Sequence, residues 1–172
     1  MATFREPDAL SNLLMREQAR VLDSLQDFSS GAGASALAEA RRVLHALADV
    51  ETNVLYPVFS RVHLRPETER LLDDCRDARA QQLAAVDALA HKRSPRLRKL
   101  AMVELADVIQ HHGQQVVSLL VPVLSSQLPR PMYRSIVHAF TARYEAELEG
   151  LPKNVAKLKQ TAPGRNPVAS GS

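Results

Sequence analysis

The chain has 172 residues, of which 45% are hydrophobic and 4% aromatic, with no tryptophan and a net charge of +3. This length and hydrophobic share are ordinary for one soluble domain with its own core, and the scarcity of aromatic residues argues against β-sandwiches and β-barrels. No run approaches the ~20 apolar residues of a membrane span, and the charged N-terminus lacks a signal peptide's apolar segment, so we expect a cytoplasmic protein with no membrane partner.

The distribution of charge argues against a nucleic-acid-binding protein, and the cysteine content argues against a protein held by disulfides or a thiolate metal cluster. The excess of positive charge lies in residues 151–172, which contain four basic residues and no acidic one. The rest of the chain is nearly neutral and shows no basic stripe with base-reading side chains, so no nucleic-acid partner is predicted. Cys75 is the only cysteine, which excludes a disulfide within the chain and a thiolate metal cluster.

Five helices are predicted in chain order from apolar periodicity, glycines and prolines. They cover about residues 8–28, 35–60, 66–90, 95–126 and 132–149, and Pro57 is expected to kink or end the second helix. The fifth helix is predicted to lean on the others through one apolar stripe, Tyr133, Ile136, Val137, Phe140 and Tyr144. The predicted core positions include 71, 78 and 85 in the third helix and 108, 119 and 123 in the fourth. Residues 151–172, rich in proline and glycine, have no periodic apolar face, so we predict a domain over residues 1–150 followed by a disordered basic tail.

The chain contains an internal repeat. Residues 47–60 match residues 112–125 at a constant offset of 65, and residues 17–25 match residues 81–89 at an offset of 64. A helix pair used twice can bury both apolar faces by closing on itself. The repeat therefore predicts an all-α fold, an antiparallel four-helix bundle with an added fifth helix.

Each of the four repeated helices has one polar residue within its predicted apolar stripe: Gln18, Glu51, Gln82 and His112. A buried carboxylate without a partner costs several kcal/mol, so Glu51 must be protonated, paired or bound to a cation. We predict that a His112 imidazolium pairs with Glu51 and that the two glutamine amides complete the layer. On that interpretation, joint apolar replacement of the four residues is neutral or stabilising, whereas single replacements are costly.

Over about residues 8–125 the chain resembles the hemerythrin family in its bacterial HHE cation-binding form. The most characteristic pieces are Leu55-Tyr56-Pro57 and Leu120-Val121-Pro122, which end the second and fourth helices. That family has a histidine on the first and third helices, and His-x-x-x-Glu before such an ending on the second and fourth. The resemblance implies a bundle that holds two iron atoms and handles oxygen, nitric oxide or iron.

Matching outward from the two prolines preserves only two of the family's six metal-ligand positions, Glu51 and His112. The other four positions hold Gln18, Leu47, Gln82 and Val116. One carboxylate and one imidazole cannot satisfy a di-iron centre, so the resemblance implies a degenerate site.

The sequence therefore favours a non-enzymatic binding, sensory or structural module without a cofactor, whose protein or small-molecule partner and oligomeric state are unknown. No Ser-His-Asp order, phosphate-binding glycine loop or catalytic carboxylate pair is visible. The alternative is weak binding of iron or another divalent cation by Glu51 and His112, with Gln18 and Gln82 as auxiliary ligands.

Overall fold

A computed structural model describes residues 9–31 and 33–150 of the chain, and within these residues it contains helices and no strand. The described residues form five helices. They are α1 (Ala9–Ser29), α2 (Ala34–Val50, continued through Glu51–Leu55, Tyr56–Val58 and Phe59–Arg61), α3 (Pro66–Leu89), α4 (Pro95–Gln115, continued through Val116–Leu120 and Val121–Gln127) and α5 (Arg130–Gly150). The predicted all-α class and number of helices are confirmed. The predicted tail, residues 151–172, lies outside the described residues.

Both repeated helices contain a π-helical turn at the same place. The turns are Glu51–Leu55 in α2 and Val116–Leu120 in α4, which are related by the offset of 65 found in the sequence. In each turn a backbone N–H bonds to the carbonyl five residues earlier, Tyr56 to Glu51 and Val121 to Val116. The next residue is proline, whose ring would crowd the carbonyl four residues before it, so the wider turn accommodates the proline without ending the helix. Pro57 therefore distorts α2 locally but does not terminate it.

The first four helices form a closed ring of contacts. α1 contacts α2 and α4, and α3 contacts the same two helices, while α5 lies mainly against α2 and also touches α1. The side chains between them form one apolar core, to which every helix contributes. No helix among the described residues is long and apolar enough to cross a membrane.

The buried stripe of α3 differs by one residue at several positions from the predicted stripe. The prediction placed Leu71, Ala78 and Ala85 towards the core. The structure instead buries the residue that follows each of them, Leu72, Arg79 and Val86. The same difference occurs in α4. Positions 108, 119 and 123 were predicted to face the core, and the structure buries the following residues, Ile109, Leu120 and Leu124. Leu72 takes the place of a leucine of equal size, but burying Val86 in place of an alanine removes more apolar surface from water, which favours the observed stripe.

The fifth helix presents the predicted face to the rest of the molecule. Ile136, Phe140 and Tyr144 are buried, and the hydroxyl of Tyr144 donates a 2.6 Å hydrogen bond to the Glu17 carboxylate of α1. Glu17 is only 3% exposed and also accepts hydrogen bonds from Arg16 and Arg20. This second buried carboxylate, which the sequence interpretation overlooked, joins α5 to α1.

Candidate functional site

In the interior, both carboxylate oxygens of Glu51 accept hydrogen bonds from the guanidinium of Arg79. Glu51, 1% exposed, begins the π-helical turn of α2, and Arg79, 7% exposed, comes from α3. Arg79 Nε donates to Glu51 Oε2 at 2.8 Å, and Arg79 Nη2 donates to Glu51 Oε1 at 2.6 Å. Two parallel bonds of this kind are the fork geometry in which arginine binds carboxylates most strongly. A side chain of the protein itself thus neutralises the buried charge of Glu51.

Further hydrogen bonds extend this ion pair across three helices. The hydroxyl of Tyr56 donates to Glu51 Oε2 at 3.2 Å, and Arg79 Nη1 donates to Gln82 Oε1 at 2.5 Å. Gln82 Nε2 in turn donates to the backbone carbonyl of Val108 on α4 at 3.4 Å. The polar atoms that burial removes from water are therefore largely matched with protein partners, as buried polar groups require.

Burial and charge act in opposite directions on the Glu51 carboxyl group. Burial alone would raise its pKa, but the charge and hydrogen bonds of Arg79, helped by nearby His112, outweigh burial and hold the pKa far below the ordinary value of 4.5. Burial also lowers the pKa of Arg79, yet the adjacent Glu51 carboxylate reverses the direction and raises it. Both groups are therefore charged at neutral pH.

His112 lies beside the ion pair but is not part of its hydrogen bonding. The side chain is 1% exposed, and its Nε2 lies 3.5 Å from Glu51 Oε2, too far for a good hydrogen bond. Neither ring nitrogen has a hydrogen-bond partner among the described residues. A cavity of about 20 Å³, large enough for one water molecule, lies against His112, Glu51 and Arg79, with Leu44 and Leu47 among its apolar walls.

Gln18 closes the opposite side of this cavity by lying over Gly113. A Cβ atom built on Gly113 would stand 1.6 Å from Gln18 Oε1, so the amide occupies space that only glycine leaves open. Gln18 and Gly113 also line a groove of about 310 Å³ on the outer surface. The half-buried amide of Gln18 therefore separates the internal cavity from the outside.

The four polar residues predicted from the sequence meet around this centre, but not in the predicted arrangement. Glu51 and His112 are adjacent, yet the hydrogen-bond partners of Glu51 are Arg79 and Tyr56. Gln82 accepts a hydrogen bond from Arg79 and makes none with Glu51. Gln18 makes no hydrogen bond with a described residue and lines the cavity. The predicted Glu51–His112 pair is thus replaced by a Glu51–Arg79 pair, because arginine supplies a permanent charge and two donors at once.

The residues at the centre do not fit a di-iron group. Leu47 and Val116, which the resemblance noted in the sequence aligns with ligand positions, are apolar and buried. The remaining carboxylate already accepts three hydrogen bonds, two from Arg79 and one from Tyr56, which occupy most of its roughly four acceptor sites. Within the described part of the chain, no three His, Cys, Asp or Glu side chains are grouped so that they could hold a metal ion.

A spacing in the sequence could have identified Arg79. Residues 72, 75, 79, 82, 86 and 89 alternate steps of three and four without interruption, and in the structure all six are buried. An arginine inside such a stripe is unusual, since arginine is seldom fully buried without a partner. The stripe of residues 71, 75, 78, 82, 85 and 89 is equally regular, so the spacing offers the pair of Arg79 with Glu51 as one of two arrangements and does not choose between them.

Comparisons with family models, with curated proteins and with solved structures found no match to this chain.

The two buried carboxylates are expected to make stability depend on pH in the acidic range. The pKa of Glu51 and the pKa of Glu17 are both lowered from 4.5 in the folded protein, the first chiefly by Arg79 and the second by Tyr144, Arg16 and Arg20, in each case against the effect of burial. The folded state therefore binds fewer protons than the unfolded state. Their stabilisation is complete above about pH 4.5 and is lost as the pH falls through the lowered folded-state values.

Urea unfolding between about pH 6 and about pH 3 measures this loss. The matched variant carries both Glu51→Leu and Arg79→Met, which remove one of the two carboxylates together with its partner. We expect a shallower decline of unfolding free energy with falling pH in this variant than in the wild type. Equal slopes for the two proteins would show that Glu51 does not contribute to the acid response.

Proposed function

We propose that this chain is a hemerythrin-like antiparallel four-helix bundle in which an internal ion pair has replaced the metal centre. Arg79 provides the positive charge that iron would provide in the family. The protein then acts as a non-enzymatic binding, sensory or structural module. The observation that carries this proposal is the fork-like contact of Arg79 with both oxygens of Glu51, in the interior.

The matching distortion of α2 and α4 supports the proposed relationship to this family. Each π-helical turn begins at a position where the resemblance implies a glutamate ligand, Glu51 in α2 and position 116 in α4. π-Helical turns are rare and occur frequently at functional sites. Two such turns at equivalent places, one still starting with a glutamate, are consistent with a centre that once had two similar halves.

The substitutions at the centre support the loss of metal rather than its replacement by another metal. An isolated buried carboxylate would need a cation, and its partner here is fixed, always charged and already hydrogen-bonded to Gln82. A divalent ion would have to displace Arg79 from Glu51 and leave the guanidinium buried without a counter-charge. That displacement costs several kcal/mol, which metal binding would first have to offset.

Metal analysis combined with thermal unfolding tests the proposal. Protein purified without chelator from iron-supplemented medium should contain no stoichiometric iron, and Fe²⁺, Zn²⁺ or Mn²⁺ at about 1 mM should not raise its melting temperature. The informative variant is Arg79→Met, which frees the oxygens of Glu51 beside His112. We expect any metal-dependent rise in melting temperature to appear in this variant and to be absent from the wild type.

Two results would contradict the proposal in different ways. Two iron atoms per wild-type chain, with the absorption of an oxo-bridged pair, would restore the di-iron interpretation. A metal-dependent stabilisation of the wild type that His112→Ala removes would instead support the alternative of one weakly bound divalent cation on Glu51 and His112.

A further inference from the structure

The N-terminal half of α4 exposes an apolar stripe to solvent. Leu97, Leu100 and Val103 are 57%, 56% and 54% exposed, and they follow one another at intervals of three residues. Side chains three and four residues apart lie next to each other on a helix. These three make up half of the six large apolar side chains that are exposed within the described residues. Single exposed apolar residues need no explanation, whereas a contiguous group of this kind marks an interaction surface.

Four charged side chains lie beside this stripe, with opposite signs at its two ends. Arg96 and Lys99 lie towards the start of α4, and Glu104 and Asp107 lie towards its middle. All four are exposed, and none forms an ion pair with another residue of the described chain. The six residues 96, 99, 100, 103, 104 and 107 are spaced as one continuous face of a helix. We call them, together with Leu97, the α4 face.

We propose that the α4 face is a homodimer interface in which the α4 helices of two copies pack antiparallel about a two-fold axis. With the axis between residues 101 and 102, Leu100 of one copy lies opposite Val103 of the other. The same axis brings Arg96 opposite Asp107 and Lys99 opposite Glu104. Because the interface is isologous, each of these contacts occurs twice, which gives four ion pairs around a central apolar contact.

The order of charges explains why the occupant is a second copy in this orientation. Antiparallel packing matches every charged position on the face with the opposite sign, whereas parallel packing in register would bring Arg96 against Arg96 and Asp107 against Asp107. The face is also open, because α5 covers α2 and α1 and leaves this part of α4 exposed. No residue of the α4 face lines the cavity beside His112, so this interface is independent of whether the interior binds metal.

Charge reversal provides the test, with sedimentation velocity of the full chain as the measurement. The wild type should shift from monomer to dimer as its concentration rises from about 1 μM to about 200 μM. Arg96→Glu with Lys99→Glu makes the face wholly acidic, and Glu104→Lys with Asp107→Arg makes it wholly basic. Each double variant alone should dimerise at least about tenfold more weakly, since like charges then meet. An equimolar mixture should form a heterodimer, because all four ion pairs are restored between unlike copies.

Arg70→Glu with Arg134→Glu is the matched control for the acidic variant, since it makes the same change in net charge through exposed residues outside the α4 face. This variant should dimerise as the wild type does, and circular dichroism should show that all variants are folded. A wild type that stays monomeric at about 200 μM would overturn the proposal. So would a dimer that resists both charge reversals, or a mixture of the two folded variants that fails to associate.

Discussion

Replacing Arg79 with methionine is expected to lower the free energy of unfolding by about 3 to 5 kcal/mol, because Glu51 would remain buried without its counter-charge. The carboxylate is 1% exposed, and its other hydrogen-bond donor, Tyr56, is a neutral hydroxyl 3.2 Å away. Since whole domains are stable by only about 5 to 15 kcal/mol, this change removes a large share of the total. Chemical denaturation at neutral pH, with chelator present, measures the difference.

Removing the whole pair provides the comparison that isolates the cause. Arg79→Met combined with Glu51→Leu leaves neither charge of this pair buried alone, so its stability should be close to that of the wild type or higher by about 1 to 4 kcal/mol. Arg70→Met, on an exposed face of the same helix, should change stability by no more than about 0.5 kcal/mol. If the double variant were less stable than Arg79→Met alone, uncompensated charge would not be the origin of the loss.

Truncating Phe140 to alanine is expected to cost about 3 to 5 kcal/mol, as for other fully buried phenylalanines. Phe140 is 0% exposed and belongs to the main core, so α5 is an integral part of the packing and more than a cover over it. Thermal and urea unfolding measure the effect. His138→Ala, on the exposed side of the same helix, should be nearly neutral. A loss below about 1 kcal/mol for Phe140→Ala would mean that α5 contributes little to the folded state.

Helix positions were predictable because glycines, prolines and apolar spacing are local signals. The start of α3 at Pro66 and the start of α4 at Pro95 were predicted correctly, and the observed end of α3 at Leu89 lies one residue before the predicted end. The π-helical turns were not predicted, although the prolines that follow them were recognised as disturbances. Whether a proline ends, kinks or widens a helix depends on the packing around it, which the local sequence does not contain.

The composition of the polar centre was harder to predict, because two equally regular stripes of α3 could face the core. With alanines 78 and 85 facing inwards, Arg79 would point to solvent and Glu51 would have only Tyr56 and His112 beside it. The observed stripe buries Val86 in place of an alanine and pairs Glu51 with Arg79, and both effects favour it. The predicted benefit of replacing Gln18, Glu51, Gln82 and His112 together with apolar residues assumed a centre without Arg79. That variant would leave Arg79 buried alone, so Arg79 has to be replaced as well.

The packing of Gln18 over Gly113 ties the wall of the cavity to one backbone position. Gln18 and Gly113 line both the cavity beside His112 and the groove outside. A Cβ atom at position 113 would overlap the Gln18 amide, so any residue other than glycine there would have to displace it. The shape of the wall between the polar centre and the groove thus depends on the absence of a side chain at position 113.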